Sequence, residues 1–275
     1  MYERYWNLEN APFDHDRRSE SFYAGRLHKE AIVKLNYLTE HGKGAAALVG
    51  ASGTGKTHVL ELVRQQVPSG VPVVQVVYPQ LAPHELVAMI THELGGAELS
   101  TSMGIPGLDV LLRSFGRRLQ ELTEAGRSPV IMIDDAHLIE DRRVFQTLHQ
   151  LMNFQQPGRS NFSLILSGQP ELIGTLQMSN QISERIAFHC LLQALSEEET
   201  TQYILRRLQA VGREEPIFDD SALRCIFELT GGIPRRINRL CDFALLVGYA
   251  NQMQQITADQ IEGVHSEITR STIAA

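Results

Sequence analysis

The sequence predicts an α/β fold, a parallel five-stranded sheet covered by helices, followed by a C-terminal all-helical domain. Three observations predict it. The stretch Gly50-Ala51-Ser52-Gly53-Thr54-Gly55-Lys56-Thr57 matches G-x-x-x-x-G-K-[ST] and sits between an apolar run, residues 45–49, and a helix opening with His58-Val59-Leu60. Four further short apolar runs alternate with helical patterns, and each connection is long enough for a crossover between parallel strands. From Ser196 onward no strand-like run occurs and only helical periodicity remains.

Residues 1–25 carry Tyr2, Tyr5, Trp6, Phe13, Phe22 and Tyr23, with Pro12 breaking any helix. They read as a strap that packs its rings on the core; the competing reading is that part of the strap covers a bound base. Over residues 27–39, Leu27, Ala31, Ile32, Leu35 and Leu38 recur at three and four, an amphipathic helix ended by His41-Gly42-Lys43-Gly44. Residues 72–78 read as the second strand, and a helix follows over 83–94, closed by Gly95-Gly96. After a loop containing Met103-Gly104-Ile105-Pro106, Leu108, Leu111, Leu112, Phe115, Leu119 and Leu122 form an apolar stripe. Arg113, Arg117 and Arg118 lie on the opposite, solvated face.

Residues 130–133 are the third strand, 142–154 a helix, 162–166 the fourth strand, 181–186 a short helical piece and 187–192 the fifth strand. In the second domain Ser196-Glu197-Glu198-Glu199 and Thr257-Ala258-Asp259-Gln260 are capping boxes. They open helices from 196 to Gly212 and from 257 onward, and further helices cover 220–229 and 233–248. The expected organisation is therefore a strap and helix over 1–40 packing on the core, an α/β core over 41–193 and a helical lid over 194–275.

A strand, a glycine-rich turn and a helix in that order aim backbone N–H groups and the positive end of the helix dipole at one point, where a phosphate chain can sit. Gly50, Ala51, Ser52, Gly53, Thr54, Gly55, Lys56, Thr57 and His58 form the expected nucleotide-contacting stretch. Lys56 supplies a point charge for the β and γ phosphates, and the Thr57 hydroxyl a ligand for Mg²⁺. The second landmark is Val130-Ile131-Met132-Ile133 running into Asp134-Asp135, an apolar strand that delivers carboxylates at its C-terminal end, as a Walker B site requires. Asp134 is expected to hold Mg²⁺ and Asp135 to polarise the attacking water. The fourth strand ends at Ser167-Gly168-Gln169-Pro170, where either Ser167 or Gln169 could sense the γ phosphate. These features describe a P-loop NTPase.

Composition narrows the partners. A net charge of −7 argues against coating nucleic acid by bulk electrostatics, while a local basic patch stays open. Cys190, Cys225 and Cys241 are odd in number and embedded in apolar runs, so free buried thiols in a reducing compartment are expected. His84-Glu85 lacks the second histidine of a zinc protease helix, since position 88 is Ala88. No run reaches the ~18 to 20 apolar residues of a membrane span, and residues 1–6 show no signal-peptide core, so a cytoplasmic protein is expected.

A phosphate-loop α/β domain followed by a helical lid resembles the AAA+ ATPases. More specifically, several stretches resemble the general secretion pathway protein A family. They are Tyr5-Trp6-Asn7-Leu8 with Pro12-Phe13, Phe22-Tyr23 with His28-Lys29-Glu30-Ala31, the phosphate loop, Ile133-Asp134-Asp135-Ala136-His137, Leu166-Ser167-Gly168-Gln169-Pro170-Glu171-Leu172, and Gly231-Gly232-Ile233-Pro234-Arg235-Arg236-Ile237-Asn238. The resemblance implies ATP and Mg²⁺ as cofactors, adenine as the base, ATP hydrolysis and a homo-oligomer. It places Arg235 as the sensor 2 arginine of the lid and Arg185 as the arginine finger offered to a neighbouring copy; charge so delivered is worth ~10³ or more in rate. One departure stands out. Walker B motifs of AAA+ proteins usually end in Asp-Glu, and Asp135 is one methylene shorter, so hydrolysis is expected to be slow while binding survives.

Members of the secretion family often continue into a membrane segment and a wall-binding part. Neither is recognised in this sequence, which reads as a stand-alone ATPase, a fragment or a split version. Three functions follow as expectations: an ATPase that assembles a secretion or pilus-type envelope machine with a partner protein, a DNA-directed transposition- or origin-type regulator using Arg235, Arg236 and Arg239, and a slow-hydrolysing nucleotide switch.

Overall fold

The computed structural model describes residues 1–14, 23–95, 107–154 and 161–273. Phe22, Gly96 and the Met103-Gly104-Ile105-Pro106 loop lie outside the described residues. In chain order the elements begin with α1 (Tyr2–Tyr5), α2 (Arg26–His41), β1 (Ala45–Gly50), α3 (Lys56–Gln66), β2 (Val73–Val76) and α4 (Pro83–Glu93). Then come α5 (Leu108–Glu124), β3 (Val130–Ile133), α6 (Arg142–Met152), β4 (Ser163–Gly168), α7 (Glu171–Gln177), α8 (Asn180–Ser183) and β5 (Ile186–Leu192). The chain ends with α9 (Glu197–Gln209), α10 (Asp220–Thr230), α11 (Pro234–Ala250) and α12 (Ala258–Ile273). It divides into two compact units, one of residues Leu27–Ser52 and Lys56–Leu192, the other of Met1–Arg26, Gly53–Gly55 and Gln193–Ala275.

The first unit is built on the expected five-stranded sheet, in the order β2-β3-β4-β1-β5 with every pair parallel. Strands β1, β3 and β4 are buried along their whole length, which is why they read as unbroken apolar runs and not as alternating ones. Alternation decides which face each side chain serves. Ala45, Ala47, Val49, Ile131, Ile133, Leu164 and Leu166 join a core closed by α4, α5 and α6. Ala46, Leu48, Val130, Met132 and Ile165 point the other way, onto Leu35 and Leu38 of α2 and Val59, Leu60 and Val63 of α3. Arg118 departs from its expected role on a solvated face. Its Nε donates to the Leu94 carbonyl at 2.8 Å, satisfying a carbonyl at the end of α4 that the helix itself leaves open. Helix α7 carries no strong periodicity and was not expected; Glu171 in its first turn and the buried Leu172 and Leu176 account for it.

The second unit is helical, as expected. Ser196 accepts from the Glu199 N–H while the Glu199 carboxylate accepts from the Ser196 N–H, the capping box that starts α9. The organisation of the N-terminus differs from the expected 1–40 strap and helix on the core. Residues 1–26 group with the helical unit, and residues 27–40 with the sheet. The rings explain the division. Trp6 is 3% exposed and its Nε1 donates to the Leu245 carbonyl at 2.9 Å; the Tyr5 hydroxyl donates to the Met253 carbonyl at 2.6 Å; and Tyr2 donates to Asp242. Phe13 meets Phe218 edge-on, and Arg207 donates to the Pro12 carbonyl. Helix α11 and the turn after it thus supply the oxygen acceptors for the strap's polar ring tips, and Phe218, just ahead of α10, supplies apolar surface.

The three cysteines are buried and unpaired. Burial pushes the Cys190 thiol up to about 11 and raises Cys225 and Cys241, so all three remain protonated and inert at neutral pH. Among the described residues no helix is long and apolar enough to cross a membrane.

Candidate functional site

The sheet order determines what can meet. Strand β4 lies between β1 and β3, so the loop after β1 and the acidic turn after β3 flank the end of β4 on one edge of the sheet. In the loop, Gly53 and Gly55 hold φ of 82° and 98°, a left-handed geometry that only glycine adopts without strain, and α3 begins immediately afterwards at Lys56. Lys56 is buried at 7% exposure, and its Nζ donates to the Gly50 carbonyl at 2.8 Å and the Ala51 carbonyl at 3.1 Å. The ammonium is thereby pinned beneath the loop's own backbone.

The Thr57 hydroxyl donates to Asp134 Oδ2 at 2.8 Å, which joins two segments 77 residues apart. Asp134 is itself held: its N–H donates to the Val76 carbonyl, and its other oxygen accepts from the Asp135 N–H at 2.9 Å. A hydroxyl and a carboxylate side by side form an oxygen-only donor pair, which suits Mg²⁺, an ion that takes one or two protein oxygens and completes its shell with water and phosphate. Among the described residues no group of three or more His, Cys, Asp or Glu gathers into a metal cage. Lys56, held beneath Gly50 and Ala51, and the Thr57–Asp134 pair therefore fit a Mg²⁺-bound nucleoside triphosphate. His58, the third residue of α3, is half-buried.

Asp135 adopts φ 48°, a left-handed conformation that aspartate tolerates better than most residues. It caps a one-turn 3-10 helix, Ala136–Leu138, which the sequence reading lacked. Its carboxylate is half exposed, whereas Asp134 is 5% exposed, so the two acids have different surroundings. At the end of β4, Ser167 is fully buried with its Oγ unpartnered, while Gln169 is half-buried and its amide nitrogen lies 2.8 Å from Nε2 of His137. Of the two expected γ-phosphate sensors, only Gln169 presents a side chain beyond the strand. His137 is the residue that sequence reasoning passed over. The signal available was its place two residues after Asp135, where a single tight turn brings it back over the strand ends.

Arg185 is not brought to this edge. It directly precedes β5, its carbonyl accepts from the N–H of Ala45 at the start of β1, and its Nη2 donates to Asn153 Oδ1 at 3.1 Å. The length of β1 then separates it from Gly50, roughly 17 Å at the ~3.3 Å rise of a parallel strand. Arg235 lies exposed in the first turn of α11, in the helical unit.

Comparison with known proteins identifies a family and a shared fold. Residues 39–176 match the model of the AAA domain family. The chain is 32% identical to general secretion pathway protein A of Aeromonas hydrophila over 279 residues, covering 98% of this chain and 50% of that protein. The chain thus spans about half the length of this curated relative. Among solved structures, the Aeropyrum pernix ORC2 protein in ADPNP–ADP complexes superposes with a TM-score of 0.69 at 15% identity, over 94% of this chain and 71% of that one. The Aeropyrum pernix ORC1 protein in complex with DNA superposes with a TM-score of 0.68 at 15% identity, over 94% and 68%.

Proposed function

Because this chain belongs to the AAA family of nucleotide-binding ATPases, we propose that it binds ATP with Mg²⁺, hydrolyses it to ADP and phosphate, and works as a cytoplasmic homo-oligomer on an envelope secretion or pilus-type assembly machine. The observation that carries the chemistry is the meeting of Thr57 with Asp134 at 2.8 Å beside the glycine-rich loop. Gly50 to His58 cradle the phosphates, with Lys56 leaving its two carbonyls for the β and γ oxygens. Thr57 and Asp134 hold the metal. When bound, Mg²⁺ supplies charge neutralisation on the phosphate oxygens. Asp135, turned out into solvent, orients the attacking water, and Gln169 reads the γ phosphate; the burial of Ser167 favours Gln169 for that task. Arg235 serves as the lid's sensor. The position of Arg185 on the opposite edge of the sheet supports an arginine offered to a neighbouring copy and not to its own site. The short side chain of Asp135 implies slow turnover. The envelope role is drawn from the likeness to general secretion pathway protein A.

A DNA-directed role is the second reading, favoured by exposed Arg235, Arg236 and Arg239 at the start of α11 and by a fold shared with an ORC1 protein solved on DNA. One experiment separates these: steady-state ATP turnover with Mg²⁺ over a wide protein concentration range, with and without duplex DNA. Specific activity that climbs with concentration and falls to background in Arg185→Ala supports the composite site and the envelope ATPase. Stimulation by DNA, with salt-dependent duplex binding, supports the regulator. Tight ATP binding with near-zero turnover at every concentration supports a nucleotide switch, and absence of ATP binding refutes all three.

A further inference from the structure

Building on the reading of Asp135 as the water-orienting acid, we propose that His137 is the positioning residue for Asp135, and that Gln169 holds His137 in the tautomer this task needs. The three side chains form a relay across the ends of β3 and β4. The amide nitrogen of Gln169 stands 2.8 Å from His137 Nε2. An amide nitrogen only donates, so Nε2 is the acceptor, and in the neutral imidazole the proton then resides on Nδ1. That Nδ1 is buried without a hydrogen-bond partner, in a side chain only 10% exposed, and Asp135 Oδ1 lies 3.8 Å away.

A buried N–H with no acceptor is unfavourable, and a carboxylate a fraction of an ångström beyond bonding range is the acceptor within reach. The two ends of the relay differ in freedom. Gln169 is anchored where its carbonyl accepts from the Leu172 N–H at 2.9 Å as α7 begins, and the 3-10 turn carrying His137 is tied by the Leu138 N–H to the Asp135 carbonyl at 2.8 Å. Gly168 lets this turn lie against β4, since a Cβ there would stand 3.2 Å from the His137 backbone nitrogen. The Asp135 carboxylate, by contrast, is half exposed and turns about its own side-chain bonds. A modest rotation engages Nδ1–H through one oxygen and leaves the other oriented toward water. The His137 contact thereby confers on the shorter acid an orientation that its own side chain does not enforce.

The test has two arms on the full chain. The first needs no nucleotide: ¹⁵N–¹H spectra of the imidazole groups, with the His137 signals identified by their loss in His137→Asn. The neutral Nδ1–H tautomer is expected in the wild type, shifting toward a tautomer mixture in Gln169→Ala; a wild-type Nε2–H tautomer overturns the proposal. The second is ATP turnover. His137→Asn retains an N–H donor near the place of Nδ1, whereas His137→Gln moves its amide toward the place of Nε2 and leaves Asp135 without a donor. We expect kcat about tenfold lower in His137→Gln, within about threefold of wild type in His137→Asn, and KM for ATP unchanged in both, the scale typical of a lost supporting contact. Equal losses in the two variants, or a loss confined to KM, refute the positioning role. A wild type that binds ATP and shows no turnover would overturn the catalytic reading of Asp135, whereas the tautomer arm still decides whether Gln169 sets His137.

Discussion

Gly231 and Gly232 stand next to each other between α10 and α11, both left-handed at φ 60° and 68°, yet a methyl group added to each meets very different surroundings. At Gly231 nothing lies within 4 Å; at Gly232 an added Cβ would fall 2.0 Å from the Leu195 carbonyl oxygen and 3.1 Å from the Leu195 nitrogen. Gly231→Ala therefore incurs only the left-handed backbone cost, ~1–2 kcal/mol. Gly232→Ala incurs the same cost plus an overlap of more than 1 Å with a main-chain atom that cannot rotate away. Relief requires separating the two segments, which breaks the hydrogen bond from the Leu195 N–H to the Gly232 carbonyl. A broken buried pair costs ~1–3 kcal/mol and local repacking ~1–3 kcal/mol more, which brings the total to about 5 kcal/mol. At ~2–4 °C per kcal/mol, melting should fall by ~10–20 °C for Gly232→Ala and by ~2–8 °C for Gly231→Ala. The single tryptophan provides the assay, because Trp6 is 3% exposed in the helical unit and its fluorescence reports on that unit. Melting points within ~3 °C of each other would show that the Leu195–Gly232 approach is not a constraint on the fold.

Other substitutions test other parts of the molecule. Lys56→Ala should weaken ATP binding by ~100-fold in a calorimetric titration, the loss of charge-assisted bonds to phosphate, with melting of the unliganded protein little changed. Asp135→Asn should lower turnover by ~100-fold or more and leave ATP affinity within about threefold, since the amide cannot accept a proton yet keeps the shape. Trp6→Ala should cost ~3–5 kcal/mol by removing a buried ring and its bond to Leu245, measured by circular dichroism because the fluorophore is lost. Asp219 caps α10 and is held below the usual carboxylate range, chiefly by the Ser221 hydroxyl and then by the Ala222 N–H. Its lowered folded-state pKa means that the stabilisation is complete above the unfolded value, ~3.9, and is lost as pH falls through the folded one. Asp219→Ala should therefore cost ~1 kcal/mol from pH 7 down to about 5, and the difference from wild type should shrink below about pH 4.

Read alone, the sequence determined the sheet domain, the helical domain and the glycine-rich loop, because each rests on local order: fully buried parallel strands need unbroken apolar runs, helices need apolar residues at three and four, and a phosphate loop needs its glycines and lysine at set spacing. Capping boxes such as Ser196 to Glu199 were legible for the same reason. Three matters were decided only by tertiary structure. The strap's rings carried no address, and it was the Leu245 carbonyl of α11 and the ring of Phe218 that drew Trp6 and Phe13 to the helical unit. Ser167 and Gln169 were equivalent candidates until strand pairing buried one and left the other beyond the strand end. His137 gained its place beside Asp135 and Gln169 through a left-handed residue and one 3-10 turn. Burial, strand order and side-chain convergence belong to partners distant in the chain, and no local pattern encodes which partners those are.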